Sequence, residues 1–192
     1  MGHLAGLKEY LDAGYSRSTF EQLLASQEVW TFHLHGQRVV TARLTDVQTY
    51  DLKMDIIDSG ETEVPKLQVK LLYASEHAEA LRKLIKTDQK VRDQPLEPIQ
   101  ALKERHFVKN KTLFPLMQEK EVVFFTLLEG EIIRGLITDF SKYEITVSLR
   151  GGIPVILLRH SIYDLRNKRD RCLLKSFQAQ RRDWQKSALF VC

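Results

Sequence analysis

Residues 122–166 read VVFFTLLEGEIIRGLITDFSKYEITVSLRGGIPVILLRHSIYDLR, and this run decides the fold. Ile133, Gly135 and Ile137 fall two apart, and so do Tyr143, Ile145, Val147 and Leu149. Alternation with period two marks a strand with one buried face. The phase slips by one residue between the two runs, which predicts a bulge or tight turn at Ser141-Lys142. Gly135 inside a strand predicts a sharp bend or a close backbone approach. Arg150-Gly151-Gly152 reads as a hairpin turn. Five short strands, the second of them bent, describe a small and strongly curved barrel.

The pattern occurs twice. Leu44–Asp55 (LTDVQTYDLKMD) lies over Ile137–Ser148 (ITDFSKYEITVS), with the Thr, Asp and Tyr identical. Gly36 matches Gly130, and Ala42 stands where Gly135 stands. Internal repetition implies tandem units. The expected fold class is therefore mainly β with added helices: two tandem five-stranded bent barrels, each preceded by a helix. The expected domains are 1–86, a polar linker 87–98 ending in two prolines, 99–166, and a basic tail 167–192. Helices are predicted over 3–13 and from a capping box at Ser18–Glu21, through Ala78 to Ile85, through Ile99 to Phe107, and just before Glu121.

Within the second copy, Gly130, Gly135, Ile137, Phe140 and Tyr143, followed by Leu158-Arg159-His160-Ser161-Ile162, resemble the Sm-like fold in its bacterial Hfq-like branch. The resemblance covers roughly 55 residues, from near Asn110. It implies that Arg159 and His160 line a central pore on one face of a ring, where they touch phosphates and uracil edges. It also implies that Tyr143 stacks on a base, and that Ser141 takes the place of an aspartate beside it. The first copy lacks a basic-His pair after the strand Leu67–Leu72, so Tyr50, the counterpart of Tyr143, reads as filling the barrel mouth. The adenine-binding face and the rim arginine cluster of the family are poorly matched: Thr126 and Arg134 stand where an aromatic and a glutamine are expected.

Net charge is +4, and its placement matters more than its size. Residues 166–192 hold eight basic and two acidic side chains, while residues 96–165 are balanced at nine of each. Arg166, Lys168, Arg169, Arg171, Lys175, Arg181 and Arg182 thus form a candidate phosphate-binding strip or a solvated basic tail, with Leu173, Leu174, Phe177 and Trp184 as docking points. Two cysteines, Cys172 and Cys192, suggest neither a disulfide framework nor a metal site, and a reducing cytoplasm is expected. No apolar run approaches a membrane span, and no signal peptide is visible. His33 and His35 lack a third ligand, so no metal is expected. Ser161 beside His160 has no orienting carboxylate, so neither catalysis nor a cofactor is expected.

These readings point to an Hfq-like protein that binds single-stranded, U-rich RNA, a candidate riboregulator. The alternative is a protein-interaction scaffold that kept the fold and lost RNA. The resemblance implies pairing of one unit's fourth strand with the next unit's fifth. Three chains of two units would close a ring of six, unless the helix after Tyr73 blocks an edge and leaves a dimer.

Overall fold

The computed structural model describes residues 4–94, 96–101, 105 and 108–174. The chain is mainly β, with one large antiparallel sheet and several short helices. Two helices open it, α1 (Leu7–Gly14) and α2 (Thr19–Ser26). Five strands follow: β1 (Val29–Leu34), β2 (Arg38–Val47), β3 (Asp51–Ile56), β4 (Gly60–Pro65) and β5 (Val69–Ala74). Next come α3 (Ala78–Leu84), the two-residue β6 (Lys86–Thr87), α4 (Gln89–Arg92) and α5 (Asn110–Gln118). The second set of strands is β7 (Val122–Leu127), β8 (Glu131–Phe140), β9 (Glu144–Ser148), β10 (Pro154–Leu158) and β11 (Ile162–Asn167).

The sheet order is β11-β7-β8-β9-β10-β5-β1-β2-β3-β4, with β6 added beside β8. Each half therefore lays its five strands in one order: fifth, first, second, third, fourth. Two separate barrels, as expected from the sequence, are not what forms. The sheet runs unbroken through a joint between β10 and β5, where Ile156 pairs with Leu72 and Leu157 with Leu71, and it stays open with β4 and β11 at its ends.

The strand signals hold with one shift. The phase slip lies at Thr138, between Ile137 and Asp139, rather than at Ser141-Lys142, which form the following turn. β2 slips at the matching place, between Leu44 and Asp46. Gly135 fits the close-approach reading: a Cβ there would lie 2.3 Å from the Ser148 carbonyl oxygen. Ala42 is fully buried at the equivalent point of β2.

Two cores lie on opposite sides of the joint. One gathers Phe32, Leu34, Leu44, Leu52 and Met54 with Phe20 and Leu23 of α2; the other gathers Val123, Phe125, Ile133, Ile145 and Val147 with Leu113 and Phe114 of α5. The joint strands serve both. Leu72 and Ile156 face the first core, and Leu71 and Leu157 the second. Burial on both faces explains the apolar runs Leu71–Tyr73 and Val155–Leu158 on these two strands. Each such side chain stabilises the fold by about 1.5–3 kcal/mol.

The helices depart from expectation in instructive ways. Ser18 stands at the N-cap of α2 but makes no capping bond. The cap comes from the other half: the Glu144 carboxylate accepts from the Thr19 N–H (3.0 Å) and hydroxyl (2.6 Å). α1 crosses over too, with Tyr10 bonded to Asp139 and packed on Phe114 and Phe140. Residues 87–93, expected to open a linker, are built in: Thr87 pairs with Glu131, Asp88 caps α4, and Val91 is buried in the second core. The helix expected from Ile99 to Phe107 is absent over the described residues 96–101, and Leu102 and Phe107 fall outside the described residues. No helix among the described residues is long and apolar enough to cross a membrane.

Candidate nucleic-acid interface

The repeat is sharpest at two turns. Between β2 and β3 the Gln48 N–H donates to the Asp51 carbonyl at 3.0 Å; between β8 and β9 the Ser141 N–H donates to the Glu144 carbonyl at 3.0 Å. Each turn is then tied to the 3-10 turn before the fifth strand. The Lys66 N–H donates to the Tyr50 carbonyl at 2.8 Å, and the Arg159 N–H to the Tyr143 carbonyl at 2.9 Å. The shared backbone lifts both tyrosines outward: Tyr50 is 77% exposed and Tyr143 51%. Tyr50 therefore fills no barrel mouth, contrary to expectation.

A lysine accompanies each ring. Lys142 sits over the face of Tyr143, 5.0 Å from the ring centroid. Lys66 reaches back to the Gln48 and Thr49 carbonyls beside Tyr50. Lys66 was missed from sequence, although it follows Tyr50 at the spacing at which Arg159 follows Tyr143. The basic residue of this copy stands before the fifth strand, in the 3-10 turn Lys66–Gln68, rather than after it, and Leu67 occupies the histidine position.

Arg159 and His160 do not line an open face. The Arg159 guanidinium is buried and donates to the Val108 carbonyl (3.0 Å) and to Asn110 Oδ1 (2.9 Å), lying over the Phe140 ring. Burial lowers its pKa to about 10, so it stays charged at neutral pH. His160 Nε2 lies 2.9 Å from the Val69 carbonyl across the joint, and burial holds its pKa down to about 4. The ring is thus neutral and donates to that carbonyl. Ser161 donates to the Lys70 carbonyl at 2.9 Å, also across the joint. The motif expected to read RNA ties the two halves together. Ser141 is buried, and its hydroxyl has no hydrogen-bond partner among the described residues.

The basic strip divides. Arg166 is buried and held by Asp170 (2.9 Å), Asp164 and Thr126, so its charge is internal. Lys168, Arg169 and Arg171 are exposed. The chain then returns along β11: Cys172 bridges to Arg166, the Leu173 N–H donates to the Leu165 carbonyl at 2.8 Å, and Leu174 is buried. Lys175, Phe177, Arg181, Arg182 and Trp184 lie outside the described residues.

An ion cluster at the joint was not anticipated. Lys70, 1% exposed, is bonded to Glu129 and Glu131, and Glu129 also accepts from the Gly36 (2.7 Å) and Gln37 (3.1 Å) N–H groups of the first half. Those bonds hold the Glu129 carboxyl below its usual range despite its burial. His33 and His35 flank the cluster, each held down to about 4 chiefly by burial. No set of His, Cys, Asp or Glu side chains suited to a metal ion occurs among the described residues. Comparison with family models, with curated proteins and with solved structures gave no match.

Proposed function

We propose that the chain is an Sm-like, Hfq-like RNA-binding protein of two fused repeats, taking single-stranded, U-rich RNA across its two tyrosine turns. The observation that carries this reading is the pair of exposed tyrosines, Tyr50 and Tyr143, raised by matching turns with a lysine at each. An exposed ring offers a base a face to stack on, and a neighbouring ammonium suits the phosphate beside it. The common strand order of the halves and the joining of a fourth strand to a fifth support the Sm-like reading. A scaffold without RNA is the second reading, favoured by the inward turn of Arg159 and His160.

Self-association follows from the same pairing. The open ends are one fourth strand, β4, and one fifth strand, β11, so chains can join head to tail. Three would close a ring, with a mass near three times 22.3 kDa by sedimentation equilibrium. Residues 171–173 lie on β11 and must give way first.

The deciding experiment is filter binding of twelve-nucleotide U-rich and A-rich RNAs at two salt concentrations. Tyr50→Ala with Tyr143→Ala should weaken U-rich binding by about 1–3 kcal/mol per lost stack. Lys66→Ala and Lys142→Ala should each flatten the salt slope by about 0.7. RNA binding indifferent to all four substitutions, or absent from the wild type, favours the scaffold.

A further inference from the structure

The outer face of β7–β9 carries a groove of about 1310 Å³ that neither tyrosine lines. Its floor is apolar: Val122, Phe124, Ile132 and Leu136 line it, each only half-buried on the side of the strands away from the core. Its rim is basic. Lys83, Lys86, Arg134, Arg150 and Lys168 line it, and none of the five is in an ion pair with another described residue. The one acidic side chain there, Asp170, is paired with Arg166.

The groove is particular to the second half. Strand registers place Thr31 opposite Thr41 where Phe124 stands opposite Arg134, and Arg43 takes the place of Leu136. The first half keeps Val29 and Val39 at the places of Val122 and Ile132 but lacks the other two apolar side chains of the floor. A solvent-facing sheet surface needs no such floor, and a clustered exposed apolar surface rimmed by charge marks a binding site.

We infer that this groove docks an acidic protein segment bearing aliphatic anchors. Charge complementarity sets the sign: five unpaired cations around an apolar trough favour carboxylates around apolar side chains. The chain's own residues 175–192 do not fit, since they carry four basic side chains and one acidic. Single-stranded RNA fits less well. Bases want open aromatic faces, and the only aromatic on the floor, Phe124, has its own Arg134 guanidinium 5.5 Å from the ring centroid. What remains is aliphatic, which suits leucine-like anchors.

The test is selection of a random sixteen-residue peptide library on phage against the full chain, followed by fluorescence anisotropy of the enriched peptides. The expected consensus combines Asp or Glu with Leu, Ile or Phe. Arg134→Glu with Lys86→Glu, both at exposed positions, should weaken those peptides at least tenfold while the far-ultraviolet circular dichroism and thermal midpoint stay unchanged. Leu136→Ser should weaken them independently of salt. U-rich RNA affinity should not move in the charge-reversed variant, which separates this site from the tyrosine turns. No acidic consensus, enrichment that ignores both variants, or loss of RNA binding in place of peptide binding would overturn the inference.

Discussion

At the scale of single residues, Arg159 shows how far a family likeness reaches. Its spacing was legible; its direction was not, because an arginine beside a turn points outward or inward according to what packs above it. Here Phe140, Val108 and Asn110 draw it in. Arg159→Ala should therefore destabilise the fold by about 2 kcal/mol, since hydrogen bonds from a charged group contribute about 1.5–3 kcal/mol. The sequence alone suggests that the fold tolerates this change. Arg159→Met should cost less than Arg159→Ala, because an apolar side chain of similar volume replaces a buried ion with little penalty. Urea unfolding of both variants checks the order. Tyr50→Ala and Tyr143→Ala should each shift stability by less than about 0.5 kcal/mol, as surface substitutions do; a larger loss means that the rings are packing elements.

Among elements, the joint between β10 and β5 matters most. The first-half strand was legible, read as Leu67–Leu72 and found at Val69–Ala74. Its partner across the joint was not legible, because a strand's local pattern does not name its neighbour. The close backbone approach at Gly135 was legible from one missing Cβ, whereas the slip at Thr138 was displaced because periodicity locates a bulge only between runs. Lys70 tests the joint directly. Lys70→Met leaves the half-buried Glu129 and Glu131 carboxylates without their cation and should cost about 3 kcal/mol, the low end for a broken buried pair. Adding Glu129→Gln and Glu131→Gln should recover most of it. Chemical denaturation of the single and triple variants decides; equal stabilities would show that the cluster contributes little.

For the whole molecule, pH is the most direct probe. His33, His35 and His160 are each depressed to about 4 in the folded state, chiefly by burial. As pH falls below about 6.5 the unfolded chain takes up protons that the folded chain refuses. Stability is full above that point and is lost by about 3 kcal/mol per histidine down to pH 4. Asp164 acts oppositely: burial pushes its carboxyl up to about 6, so it gains about 3 kcal/mol as pH falls through that value. Glu144, whose carboxyl burial also raises, acts as Asp164 does; the three histidines outweigh these two, and the melting temperature should drop between pH 6.5 and 4, whereas a flat profile there would contradict the burial of these rings. The fused joint has a further consequence. In an assembly of identical units every contact between neighbours must be the same contact. Here the inner one carries Lys70 against Glu129 and Glu131, while strand register places Tyr163 at the equivalent point of the outer end; it also sets Gly36 against Glu129, one residue off the Gly130 match expected from sequence, and Arg38 against Glu131. A β10 strand searching for a mate thus meets a cation on β5 and a phenol on β11. The inner joint has its own address, and the two kinds of contact are free to diverge independently.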